Sequence, residues 1–133
     1  MALAADANVL LSAVLGHAAL RVFTCTDVSV LTTKHTLEEV REYLPLLARQ
    51  YDMLPQALEA QLRLLAVRGC PLREYAAKLE TAKRALARRD PDDVDLLALA
   101  LAYSIPVWSN DSDFDDAAVE WYTTARLLRR LGI

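Results

Sequence analysis

The chain has 133 residues, the length of one ordinary domain, and 54% are hydrophobic against 25% charged, with 3 Gly and 5 Pro; this excludes a disordered tail, a collagen-like repeat and a two-domain enzyme. Fifteen Lys and Arg against 18 Asp and Glu give a formal net charge of −3, which points neither to a histone-like nucleic-acid binder nor to an acidic solvating protein. Cys25 and Cys70 form no CxxC pair or zinc ligand set and share no spacing with His17 or His35, so the reading is a reduced, cytoplasmic protein.

In chain order, the apolar run over 2–5 ends at Asp6 and predicts a strand, and Val9, Leu10, Ala13, Val14 and Ala18 then recur at helical spacing. Asp6, Asn8 and His17 interrupt this apolar start and no basic residue precedes it, against a secretory signal. The longest unbroken apolar run, 96–103, falls far short of a bilayer span, so no membrane segment is expected. Residues 21–26 are β-branched and aromatic and predict a second strand. Thr36 with Glu39 three residues on has the capping-box spacing and predicts a helix over 37–48, kinked or restarted at Pro45. A further helix over 56–66 follows Pro55, and Gly69-Cys70-Pro71 is the clearest break. Beyond it, Tyr75, Leu79, Ala82 and Leu86 mark an amphipathic helix over 73–87. Asp90-Pro91-Asp92-Asp93 opens the most apolar helix, 94–103, whose hydrophobicity on nearly all faces means burial. Pro106-Val107-Trp108 reads as a strand stopping at Ser109-Asn110-Asp111-Ser112-Asp113, and 119–122 as a last strand leading into a helix over 123–131.

Strands alternating with helices argue for a small α/β domain with a parallel sheet and helices on both faces, whose sites form at the carboxyl ends of the strands. Two predicted strand ends run straight into acids. Asp6, Glu39, Asp93, Asp111 and Asp113 each sit at an element end or on a first helical turn beside an apolar run. Carboxylates converging there repel, at several kcal/mol if buried unpaired, and a divalent cation removes that penalty. Hard oxygen ligands without His or Cys select Mg²⁺ or Mn²⁺ over zinc. Structural readings compete: Glu39 as capping partner of Thr36, the acids of 90–95 as helix-cap and dipole residues, Asp111 and Asp113 as turn formers. For Asp6 the sequence offers little structural purpose.

Four segments in order, Asp6-Ala7-Asn8-Val9-Leu10-Leu11-Ser12, Leu37-Glu38-Glu39-Val40, Asp90 to Ala100, and Pro106 to Phe114, resemble the four motifs of PIN domains and span nearly the whole chain. The resemblance implies one domain over 1–133 with a three-layer α/β/α fold, a central parallel sheet of about four to five strands and a metal-dependent nuclease site. It is used in VapC-type toxins of toxin–antitoxin pairs and in RNA-processing enzymes. Carried over by position, the four acids are Asp6, Glu39, Asp93 and Asp111, with Asp113 assisting and Asn8 and Ser109 as supporting polar residues; Asp95 and Glu38 are the alternatives in register. Departures are a short, alanine-rich segment before Asp6 and a second motif close behind the second strand.

The implied activity is endonucleolytic hydrolysis of RNA phosphodiester bonds with one or two Mg²⁺ or Mn²⁺ ions; neither His17 nor His35 sits in a motif. With those four acids set aside the remaining chain carries no net negative charge. Lys78, Lys83, Arg84, Arg88 and Arg89, and on the last helix Arg126, Arg129 and Arg130, are candidates for phosphate contact, a solvated helix face being the competing reading. Trp108 and Trp121 are read as core rather than base-stacking residues, and Tyr43, Tyr51 and Phe114 as exposed. Expected partners are RNA, an antitoxin protein covering the acidic pocket, and a second copy forming a homodimer or higher homo-oligomer, for which Leu58, Leu62, Leu65 and Ala66 are a candidate face that the sequence does not distinguish from core. The alternative is a catalytically silent nucleic-acid or nucleotide-binding module.

Overall fold

The computed structural model describes residues 1–86, 91–114 and 119–133. Among them β1 (Ala2–Ala5), β2 (Ser29–Thr33), β3 (Val67–Cys70), β4 (Val107–Trp108) and β5 (Trp121–Tyr122) pair in parallel in the order β3-β2-β1-β4-β5. Parallel pairing requires crossovers, here carrying α1 (Ala7–Val14), α2 (Lys34–Gln50), α3 (Pro55–Leu64), α4 (Leu79–Ala85) and α5 (Pro91–Tyr103), and α6 (Thr124–Leu131) closes the chain.

Alternation along β1 sends Leu3 and Ala5 to one face and Ala4 to the other, the two-residue period of a strand. On the first face they pack with α1, α2, α3 and α6 and with Val30 and Trp108; on the second, Ala4 and Val107 pack under α4 and α5. This is the three-layer arrangement the PIN resemblance implies. The direction of crossing reverses between β1, which leads to β2 on one side, and β4 on the other, so the carboxyl ends of β1 and β4 flank a topological switch point.

Local structure departs from the sequence reading in several places. The strand expected over 21–26 is a 3-10 helix, Ala18–Thr24, whose buried Ala19 and Val22 repeat at its three-residue turn; the second strand lies further on, at Ser29–Thr33. Helix α2 begins three residues before the expected start because Thr33, not Thr36, is its N-cap: its Oγ1 accepts from the Thr36 amide at 2.9 Å and its hydroxyl donates to Thr36 Oγ1 at 2.7 Å. The Thr36–Glu39 capping box therefore does not form. Gly69, read as part of a break, lies within strand β3, where a Cβ would stand 3.2 Å from Leu37 Cδ2, so glycine lets α2 lie close on the sheet edge.

The helix expected over 73–87 is broken into 3-10 turns at Leu72–Glu74 and Ala76–Lys78 followed by α4, because Tyr75 leaves helical geometry at φ −131°. Nearby, Arg68 and the Tyr103 hydroxyl both donate to Glu74 Oε1, the former at 2.7 Å, fastening β3 to the end of α5 and holding the Glu74 carboxyl below the usual carboxylate range. Phe114, read as exposed, is fully buried under α5. Leu58, Leu62 and Leu65, which fit either a dimer face or the core by sequence, are buried in this chain's own core, whereas Leu64 is 79% exposed. Among the described residues no single helix is long and apolar enough to cross a membrane.

Candidate active site

Ala5 pairs with Trp108 across β1 and β4, and the Asp6 amide donates to the Trp108 carbonyl at 3.2 Å, so the chain leaves both strands side by side at the switch point. Asp6 is the N-cap of α1, its Oδ1 accepting from the Val9 amide at 2.9 Å. That is a structural purpose the sequence reading did not find. It occupies one oxygen only. The other, Oδ2, accepts from the hydroxyl of Ser109, a fully buried residue whose Oγ in turn accepts from the Asp111 amide at 3.0 Å. One serine thus joins the two acids that end β1 and follow β4.

Burial raises the Asp6 carboxyl above its ordinary range and the nearby Asp111 charge raises it further, against the hydrogen bonds from Ser109, Val9 and the Asn8 backbone that favour its ionised form. Asn8 itself is exposed on the first turn of α1. Around the Ser109–Asp111 loop, Asn110 Oδ1 accepts from the Thr124 amide at 2.8 Å and the Trp121 indole donates to the Ser109 carbonyl at 2.8 Å. Trp108 is core as expected, its ring tilted against Phe23 and its Nε1 donating to Thr124 Oγ1 at 3.0 Å. Trp121 is half-buried, packs against the second core and also braces the loop, and neither it nor Asn110 carries a distinguishing signal in the sequence.

Glu39 lies in the second turn of α2, where His35 Nε2 approaches its Oε1 at 2.9 Å; Glu38 is exposed beside it. His35, outside every motif, is therefore in contact with a motif acid. Asp93 and Asp95 lie on the opening turns of α5. The phenol of Tyr75, a residue only 3% exposed, donates to Asp95 Oδ2 at 3.3 Å, and burial together with the Asp95 charge pushes its pKa up to about 12, so it is a donor at every ordinary pH. Residues two apart on a helix stand roughly 200° apart around its axis, so Asp93 does not share the face that meets Tyr75.

Arg84 is exposed on α4. Arg88 and Arg89 lie outside the described residues, as does the side chain of Asp113, whose backbone forms part of a 3-10 turn at Ser112–Phe114. Among the described residues no group of three or more His, Cys, Asp or Glu side chains is gathered to hold one ion. The structure brings Asp6 and Asp111 together through Ser109 and does not gather Glu39 and Asp93 into the same group. The donors it does unite fit a hard divalent cation: carboxylate and hydroxyl oxygens without thiol or imidazole, with like charge and burial acting on Asp6 in the sense that a cation offsets.

The family profile described as PIN domain matches residues 5–132. No curated protein matches the sequence. Among solved structures, VapBC2 from Rickettsia felis, crystallised with a DNA fragment from its promoter, superposes with a TM-score of 0.69 at 12% identity over 92% of this chain and 98% of that one. FitAcB from Neisseria gonorrhoeae gives 0.67 at 20% identity over 92% and 98%. Mycobacterium tuberculosis VapC20, described as a sarcin-ricin loop cleaving toxin, gives 0.57 at 23% identity over 88% and 95%. At such identities the likeness is one of fold.

Proposed function

The chain belongs to the PIN domain family, and from that premise we propose that it is a cytoplasmic, metal-dependent endoribonuclease acting as the toxin of a toxin–antitoxin pair. Residues 1–133 are read as its single nuclease domain. The observation that carries the reading is the part-buried pairing of Asp6 with Asp111 through the buried Ser109 at the switch point of a parallel sheet. The fold shared with a toxin described as cleaving the sarcin-ricin loop supports it, and the VapBC2 relative supports an antitoxin partner.

In this reading Asp6, Glu39, Asp93 and Asp111 hold one or two Mg²⁺ or Mn²⁺ ions, assisted by Asp113. Such an ion, when bound, supplies a water of lowered pKa and neutralises charge growing on the phosphoryl group. Ser109 fixes the second oxygen of Asp6 and, through the Asp111 amide, the backbone at the start of the following loop, so the Asp6 carboxylate is already in place as RNA arrives. Asp93 is preferred to Asp95 on its position in the third motif, and on α5 it lies on a different face from the one that meets Tyr75. Glu39 is preferred to Glu38, which is exposed.

The test is cleavage of a pool of end-labelled single-stranded RNAs by wild type and Asp111→Asn with Mn²⁺, with Mg²⁺ and with EDTA. Cleavage that needs metal and falls by at least about a hundredfold in the variant is the expected result, the scale of losing one metal-positioned charge stabilisation. Equal behaviour of the two proteins overturns the reading and leaves a silent binding module.

A further inference from the structure

Helix α6 is sharply two-sided: Leu127 and Leu128 are buried in the first core, while Arg126, Arg129 and Arg130 face out. With Tyr122 of the edge strand β5, these arginines line a shallow groove of ≈ 460 Å³. Among the described residues no carboxylate forms an ion pair with any of the three. Dipole stabilisation at the end of α6 accounts for a preference for cations in its last turn. It does not account for Arg126, which lies in the first turn, where the helix dipole disfavours positive charge.

Arg126 is held there by other means. Its guanidinium stands 5.6 Å from the centres of both the Trp121 and Tyr122 rings, and its Nη1 donates to the Trp121 carbonyl at 3.1 Å. An arginine stacked and tethered in this way loses little further freedom on binding an anion, while its remaining N–H groups stay available. The same Trp121 donates to the Ser109 carbonyl, and the Thr124 amide is bound by Asn110, so the head of the groove is fastened directly to the loop that carries Ser109 and Asp111.

We propose that the α6 groove, with Arg126 as its fixed anchor and Arg129 and Arg130 beyond it, binds the phosphate backbone of single-stranded RNA running away from the Asp6–Asp111 site. The choice of RNA as ligand rests on the nuclease reading. Three cations on one face match the backbone-tracking charge of single-strand grooves. Tyr122, packed against the first core with Arg126 over its ring, backs the anchor, and a sequence-tolerant grip on the backbone is the expected character.

The test measures binding of a short fluorescein-labelled oligouridine without added metal across a salt series, comparing wild type with Arg129→Ala/Arg130→Ala and Arg129→Lys/Arg130→Lys. The alanine pair should lose about tenfold in affinity at low salt and flatten the salt dependence by roughly 0.7 per lost phosphate contact; the lysine pair should keep the slope. A control pair at the other sheet edge, Arg49→Ala/Arg63→Ala on α2 and α3, should match wild type. Unchanged affinity and slope in the Arg129/Arg130 alanine pair overturns the proposal, as does an equal loss in the control, which would mean diffuse charge attraction. Binding of a polyglutamate peptide that depends on Arg129 and Arg130 while oligouridine binding does not would also overturn it, in favour of an acidic protein partner. Because no cleavage is read, an inactive wild type in the nuclease assay defeats the function proposed above and leaves this measurement intact.

Discussion

Asp6 serves two ends that pull in opposite directions. As N-cap it satisfies the Val9 amide, which favours its ionised form, yet burial and the Asp111 charge push its carboxyl upward. The folded-state pKa lies above the unfolded one, so ionisation opposes folding: the penalty is fully present above the raised value and disappears as pH falls through it toward the ordinary 3.8. Asparagine caps a helix as well as aspartate does and carries no charge. In metal-free protein Asp6→Asn should therefore melt higher than wild type at neutral pH, with the difference shrinking as pH is lowered through that window. A difference independent of pH, read by thermal melts across a pH series, would show that Asp6 is not held in a charge-averse site.

At the scale of elements, α2 depends on a cap that lies inside the sheet. Thr33 is the last residue of β2 and also the N-cap of α2, and it is fully buried with Thr36 beside it. Thr33→Val keeps shape and strand preference but strands the Thr36 amide and hydroxyl, so a loss of about 1–2 kcal/mol is expected, the scale of a lost N-cap with a buried partner left unpaired. Equilibrium urea unfolding checks it, with an unchanged m-value marking a pure stability effect. The sequence showed a helix here but misplaced its start, since Thr33 and Thr36 are both good caps and only pairing of β2 with β3 decides which of them ends the strand. Tyr75 is a similar case. Its spacing fits a helix, but its burial against Asp95 on a distant element breaks the run into short turns.

For the whole molecule, a ligand that binds only the folded state stabilises it by mass action. If Asp6 and Asp111 form the head of a metal site, Mg²⁺ at ten times its dissociation constant should add about 1.4 kcal/mol and raise Tm by roughly 4 °C for a domain of this size; Asp111→Asn should abolish the shift, and an equal shift in both proteins would place the ion elsewhere. The sequence by itself determined the order of most strands and helices, the α/β class and the acids standing at element ends, because hydrophobic period and terminal residues are local signals carried by consecutive positions. It also carried the family, since the four motifs are written along the chain in order. Only the tertiary structure decided that Ser109 bridges Asp6 and Asp111, that Asp95 answers to Tyr75 and Glu39 to His35, that Leu58 and Leu62 turn inward, and that Arg126 is stacked on Trp121 and Tyr122. Apart from the one-turn Glu39–His35 contact, these depend on which strand ends lie adjacent and which helix face meets the sheet, and that is fixed by parallel pairing between segments as much as a hundred residues apart.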